Sequence, residues 1–268
     1  MSLHFTEKYV TILSDYVFII PKISRMLISE CQQKFHLKYV AELRLFLLEK
    51  RLTVRIKMKV LLINGSPHQY GCTYTALKEV ADSLNMNDVA TEIYHIGAEP
   101  IRGCAGCGSC FTTGRCVFDQ DGVNEISDRL VEFDGIVVGS PVYYASASGQ
   151  LYCFLDRLFY SNYCSGRMNG KIAAAVVSCR RGGASTAFDR INKYFMISKM
   201  IVATSQYWNQ VHGNSPEEVR QDEEGMQTMR TLGECIAYSI RNKYAGLREH
   251  VKQPEYERPV MTNFIRKK

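Results

Sequence analysis

From residue 58 the chain alternates short apolar runs with longer stretches of helical spacing, and no other feature restricts the fold as tightly. Runs suited to strands occupy residues 59–64, 90–95, 135–139, 172–178 and 200–204. Helical periodicity covers 73–85, 122–132, 148–161, 185–197 and one long stretch from 216 to 244. Apolar strands separated by helices are buried on both faces, so the pattern predicts a five-stranded parallel sheet between two helical layers. In the doubly wound order 2-1-3-4-5 the carboxyl ends of strands one, three and four share one edge. Ligands of open sheets bind at such an edge.

The loop after the first strand, Asn64-Gly65-Ser66-Pro67 and onward to a helix entering at Thr73, is the first candidate at that edge. Ser66, Thr73, Tyr74 and Thr75 stand there beside Gly65 and Gly71, so hydroxyls and backbone N–H groups converge ahead of a helix N-terminus, where phosphate binds. No Lys precedes the Ser/Thr pair and the three-glycine dinucleotide fingerprint is absent, which sets aside both nucleotide motifs. A phosphate held by neutral groups fits flavin mononucleotide, FMN; an ordinary strand-to-helix connection is the plain alternative.

Two further loops reach the same edge. Ser140-Pro141-Val142-Tyr143-Tyr144-Ala145-Ser146 sets aromatics among small residues where a planar ring can lie, and Tyr143 and Tyr144 either stack on such a ring or pack under the next helix. Cys179-Arg180-Arg181-Gly182-Gly183 follows the fourth strand, and its glycines permit close backbone approach. The arginines either attract the phosphate of a nicotinamide donor or are solvated.

Ten cysteines in a chain of 268 residues are too many to pass over, and four lie within Cys104-x2-Cys107-x2-Cys110-x5-Cys116. Three thiolates at such spacing, with glycines letting the backbone wrap, can hold three irons of a cubane, with the fourth ligand following at a distance. Zinc more often takes two separated Cys pairs or mixed Cys and His ligands, so iron-sulfur ranks above zinc. Free thiols, or a redox pair such as Cys107 and Cys110, are the bland readings. Cysteines in this number and grouping suit a reducing compartment, and the protein is expected to be cytoplasmic.

Residues 1–57 differ from the rest, with apolar residues such as Leu43, Leu47 and Leu48 at helical spacing among many Lys and Arg. Met58 stands directly before the first strand, so 1–57 is read as a helical N-terminal extension and 58–268 as the core domain. The apolar part near residues 16–20 is interrupted by Asp15 and stopped by Pro21, too short for a membrane span. A net charge of +6 is modest for this length and speaks against nucleic acid as a partner.

With these motifs in view, the chain resembles the flavodoxin-like NADPH-dependent FMN reductase family, and within it the iron-sulfur flavoproteins. The resemblance rests on NGSPHQYGCTYTAL at 64–77, the cysteine run at 104–116, DGIVVGSPVYYASASGQLYCFLDR at 134–157, and YWNQVHG, DEEGMQTMRTLG and TNFIR further on. It covers about 58–268 and leaves 1–57 unexplained. It implies a flavodoxin-like α/β fold with FMN at the sheet edge. Ser66, His68, Thr73, Tyr74 and Thr75 would surround the phosphate and ribityl chain, and Pro141, Val142, Tyr143, Tyr144 and Ala145 the ring. A [4Fe-4S] cluster would sit on Cys104, Cys107, Cys110 and Cys116. Relatives often carry adjacent acids after the last cysteine, where this chain has Gln120-Asp121. Members tend to form homodimers or homotetramers in which a neighbour's loop completes the pocket, and Trp208 and Asn209 are candidates for that contact.

The implied activity is an FMN-dependent oxidoreductase moving electrons from NAD(P)H, or from a carrier such as ferredoxin, to a small-molecule acceptor such as a quinone or free flavin. The chemistry belongs to the flavin, so no essential acid or base residue is expected. A non-enzymatic flavin-binding electron carrier or regulatory partner is the rival reading. A zinc-stabilised interaction domain is a third, and it leaves both sheet-edge loops unexplained.

Overall fold

Side chains of the central strands alternate between two apolar cores, as a period of two requires when both faces are covered. The computed structural model describes residues 58–257, 260 and 262; the extension expected over 1–57 lies outside the described residues. The three central strands, β1 (Lys59–Asn64), β3 (Gly135–Pro141) and β4 (Ile172–Cys179), are buried over nearly their whole length, whereas the edge strand β2 (Ala90–His95) is half-buried. Leu61, Ile63, Ile136, Val138, Ala173, Ala175 and Val177 pack in one core with the helices α3 (Val123–Arg129), α4 (Gly149–Tyr163) and α5 (Ala184–Ile197). Val60, Leu62, Val137, Ala174 and Val176 pack in the other with α1 (Cys72–Met86), α6 (Pro216–Gln221) and α7 (Glu223–Arg248). A four-residue helix, α2 (Cys110–Thr113), sits inside the cysteine run.

All strand pairs are parallel, in the order β2-β1-β3-β4-β5, so the flavodoxin-like arrangement expected from the sequence is the one observed. The first two strands match the expected bounds to the residue; the fifth does not. Instead of one strand over 200–204, β5 is only Ile201–Val202, pairing with the start of β4. A second piece, β6 (Gln210–His212), pairs with the end of β4, leaving residues 203–209 to loop out between them.

The long helix expected from 216 to 244 is likewise two helices. Asp222 breaks it: the carboxylate accepts from the Gly225 N–H (3.0 Å) as the cap of α7 and from the His212 N–H (2.6 Å) of β6. The helix expected over 122–132 ends at Arg129 and tightens into a 3-10 turn, Leu130–Glu132.

Candidate functional site

The loop after β1 is shaped by a close approach. Gly65 donates its N–H to the Gly139 carbonyl (2.8 Å), and a Cβ here would lie 2.9 Å from that oxygen and 2.6 Å from Leu151 Cδ2, so glycine is required. Asn64 then clamps the turn from inside. Its Oδ1 accepts from the Ser66 N–H (3.1 Å), and its Nδ2 donates to the Gln69 carbonyl (3.0 Å). His95 at the end of β2 places Nε2 2.8 Å from the Ser66 carbonyl. Behind the loop α1 starts after Gly71, which brings no side-chain cap, so the opening turn presents its amides with no side chain among the described residues claiming them.

The hydroxyls expected at this loop are used unevenly. Thr75 Oγ1 donates back to the Gly71 carbonyl (3.2 Å), and Thr73 Oγ1 lies 2.8 Å from Ser178 Oγ, tying α1 to the end of β4. Ser66 is buried, its Oγ accepting from the His68 N–H (3.1 Å), and His68 itself is exposed. Tyr74 meets the edge of Tyr70, with ring centroids 5.1 Å apart; the exposed Tyr70 gave no sequence signal beyond its place in the loop.

The turn after β3 is a tight hairpin. Tyr143 and Ser146 exchange both backbone hydrogen bonds (2.8 and 3.0 Å), and the two residues between them, Tyr144 (φ 50°) and Ala145 (φ 57°), are left-handed. Such turns ordinarily take Gly or Asn, and each non-glycine residue held there costs about 1–3 kcal/mol. Tyr144 stands fully exposed at the tip. The third loop presses on this turn: at Gly183 (φ +89°) a Cβ would lie 2.8 Å from Ala145 Cα and 3.0 Å from Val142 Cγ1. Val142 in turn donates its N–H to the Ser178 carbonyl (3.0 Å). Pro141 is half-buried, Gly182 faces open space, and Cys179 is buried, which pushes its thiol pKa up.

Ser148 knits these loops together. Its Oγ donates to the Gly65 carbonyl (2.7 Å) and accepts from the Leu151 N–H (3.2 Å) as the cap of α4, while its own N–H donates to Ser140 Oγ (3.0 Å). Alongside, the segment between β5 and β6 carries Tyr207 and Trp208, both more than half exposed and with rings 4.9 Å apart. Asn209 beside them is buried, and its Oδ1 has no hydrogen-bond partner among the described residues. The uncapped start of α1 at the carboxyl edge suits a ligand that carries a phosphate, whereas Asn209 lies deeper, level with Val177 of β4.

Cys104, Cys107, Cys110 and Cys116 line a single cavity with Phe118, Arg157 and Tyr160. Gly106 and Gly108 take positive φ, the wrapping that glycine makes cheap. Hydrogen bonds from Ser109 hold the exposed Cys107 thiol below its ordinary pKa; burial, and then the neighbouring thiols, raise that of Cys110. All four thiols are free, and among the described residues no group of three or more Cys, His, Asp or Glu is arranged to hold a metal ion. The donor set still fits an iron-sulfur group by its chemistry, four thiols around one cavity.

Motif spacing does not single out Arg157, yet this residue anchors the cysteine loop. Its guanidinium donates to Cys116 Sγ (3.1 Å), to the carbonyls of Arg102 (3.2 Å) and Phe118 (2.6 Å), and to the Asp121 carboxylate. A signal is present as a stripe: Gln150, Cys153, Arg157 and Tyr160 recur at helical spacing on α4 among apolar neighbours, and all face the segment 97–118.

A family model described as NADPH-dependent FMN reductase matches residues 58–214. An iron-sulfur flavoprotein of Methanocaldococcus jannaschii is 32% identical over 192 residues, covering 69% of this chain and 98% of the relative. Another, from Archaeoglobus fulgidus, is 28% identical over 190 residues, covering 70% and 82%. Among solved structures, RosB with a bound 8-demethyl-8-formylriboflavin-5'-phosphate intermediate superposes with a TM-score of 0.55 at 13% identity, over 79% of this chain and 95% of that one. A WrbA-like flavodoxin from Agrobacterium tumefaciens gives 0.50 at 16% identity, over 69% and 98%. At these identities the structural likeness speaks for the fold.

Proposed function

We propose, from the premise that this chain belongs to the NADPH-dependent FMN reductase family, that it is an FMN-dependent oxidoreductase carrying electrons from NAD(P)H or a reduced carrier to a small acceptor. The observation that carries this reading is the interlocking of three loops at the carboxyl edge, with an unclaimed helix start on one side and the exposed Tyr144 turn on the other. Ser66, His68, Thr73, Tyr74 and Thr75 would hold the phosphate and ribityl chain. Pro141, Val142, Tyr143, Tyr144 and Ala145, with Cys179, Gly182 and Gly183, would line the ring.

Bound there, FMN supplies a ring that takes up electrons from one partner and passes them to another. The chain's part is to orient it: Ser148 and Thr73 fix the loops to each other, and Tyr143 and Tyr144 shield a ring face from water. We assign Cys104, Cys107, Cys110 and Cys116 as the holders of a [4Fe-4S] cluster, which supplies single-electron transfer and makes a ferredoxin a suitable donor. Assembly as a homodimer or homotetramer, with Trp208 at the contact, is supported by the exposure of Tyr207 and Trp208. The free thiols support a reducing, cytoplasmic setting. No helix among the described residues is long and apolar enough to cross a membrane.

Anaerobically purified protein is expected to be yellow to brown, to quench added FMN fluorescence to saturation and to contain iron. Protein that is colourless and leaves the fluorescence of excess FMN unchanged overturns the reading. Saturated FMN binding with no turnover by NADH or NADPH on a quinone or flavin acceptor favours the electron carrier instead.

Tyr144→Gly separates strain from binding. It relieves a left-handed residue, so stability is expected to rise by about 1 kcal/mol, while loss of the aromatic weakens FMN about tenfold, roughly the 1.4 kcal/mol of one ring contact. Thermal unfolding and FMN titration of the same preparation read the two effects, and a variant that binds FMN as tightly as the parent removes Tyr144 from the site.

A further inference from the structure

We infer that Arg157 is a positioning residue for the cysteine ligand set: its buried Nε–H fixes Cys116 and raises the reduction potential of the cluster held there. This rests on the reading of the four cysteines as cluster ligands and adds to it a residue outside the cysteine run.

The Arg157 side chain has no exposure, and Asp121, which balances its charge, is 14% exposed. A guanidinium taken so far from water needs most of its donors satisfied. Arg157 meets that need wholly from the cysteine segment, with acceptors before Cys104 (the Arg102 carbonyl) and after Cys116 (the Phe118 carbonyl and Asp121). One side chain therefore draws the two ends of the run together. The Phe118 ring, which lines the cavity, has its centroid 4.3 Å from the Arg102 guanidinium and 5.3 Å from that of Arg157.

A further donor is aimed at sulfur: Arg157 Nε to Cys116 Sγ at 3.1 Å. A tether needing only backbone acceptors would leave that donor elsewhere. Hydrogen bonds to ligand sulfurs stabilise the more negative, reduced state of a cluster and so raise its potential, and outer partners of this kind also orient the ligand. Because Asp121 offsets the charge of the guanidinium, what Cys116 receives is the directed N–H dipole.

Position on α4 connects this to the flavin site. Eight residues N-terminal, the helix begins at Gly149 behind Ser148, whose Oγ holds the Gly65 carbonyl; at about 1.5 Å per residue the two anchor points are about 12–14 Å apart along one rigid element. Arg157 thus sets the cysteine loop at a fixed distance from the sheet edge.

The test compares parent, Arg157→Lys and Arg157→Met, each reconstituted anaerobically with ferrous iron, sulfide and FMN. Both variants are expected to show a more negative cluster midpoint by redox titration followed by electron paramagnetic resonance, with the FMN midpoint of the same sample unmoved. Iron loss to a chelator is expected to quicken about 10- to 100-fold. Variants that carry the cluster at the parental midpoint and release iron at the parental rate overturn the inference. If Arg157→Met does not fold, Arg157→Lys, which keeps the charge and loses the fork, decides between the two outcomes. A parent protein that takes up no iron removes the ligand-set reading itself, and the inference with it, which is a different result from unchanged variants.

Discussion

Asp121→Ala is expected to destabilise the fold by about 3–5 kcal/mol, the usual loss when one partner of a buried ion pair is removed and the other stays behind. The Arg157 side chain is wholly inaccessible and Asp121 nearly so. Without the carboxylate, the guanidinium keeps as partners two backbone carbonyls and the Cys116 sulfur, and loses the carboxylate that balances its charge. Asp121 Oδ1 is itself buried without a partner among the described residues, so the pair is held chiefly through Oδ2. Asp128→Ala is the matched control, because its ion pair with Arg115 is largely exposed and screened by water, and little change is expected. Urea unfolding at an unchanged slope would read both. Equal midpoints for the two variants would show that the buried charge finds another partner.

Gly65→Ala is expected to cost about 1–3 kcal/mol, the range for forcing extra volume into a packed site, which at this size lowers the unfolding midpoint by about 2–4 °C per kcal/mol. The added Cβ meets Leu151 Cδ2, which can turn away, and the Gly139 carbonyl, which cannot, since it is held in the β3 ladder and accepts the Gly65 N–H. Relief must come from lifting the loop. That stretches the Ser148 bond to the Gly65 carbonyl and shifts Ser66 from its bonds with Asn64 and His95, so FMN affinity is expected to fall with stability. Gly149→Ala, at the first residue of α4 with open space around its added carbon, is expected to leave both unchanged or raise stability slightly. Parental FMN binding by Gly65→Ala would place the phosphate away from this loop.

How legible these features were depended on how local they are. The bounds of β1 and β2, the two-faced burial of β1, β3 and β4, and the strand order all followed from apolar periodicity and from the general rules of doubly wound sheets. The cysteine run and the glycine-bearing loops were equally plain, because spacing within a few residues carries their chemistry. The divided fifth strand was not, since β5 and β6 are each too short to show a period and are recognisable only by pairing with opposite ends of β4. Nor was the break in the last helix: Asp222 stands in a helical pattern, and it stops the helix because β6 delivers the His212 amide to its carboxylate.

The amino-acid sequence by itself determined the layered sheet, the edge at which the candidate loops gather and the spacing of the candidate metal ligands, because apolar period and motif spacing act over a few residues. Only the tertiary structure decided which groups hold those parts in place. Thr73 finds Ser178 across 105 residues of chain, Ser148 finds Gly65 across 83 and Arg157 finds Cys116 across 41, and each partnership exists only after the strands have paired. The left-handed Tyr144 and Ala145 belong to the same class, for their conformation goes against the preference of the residues and is imposed by the hydrogen bonds that close the turn.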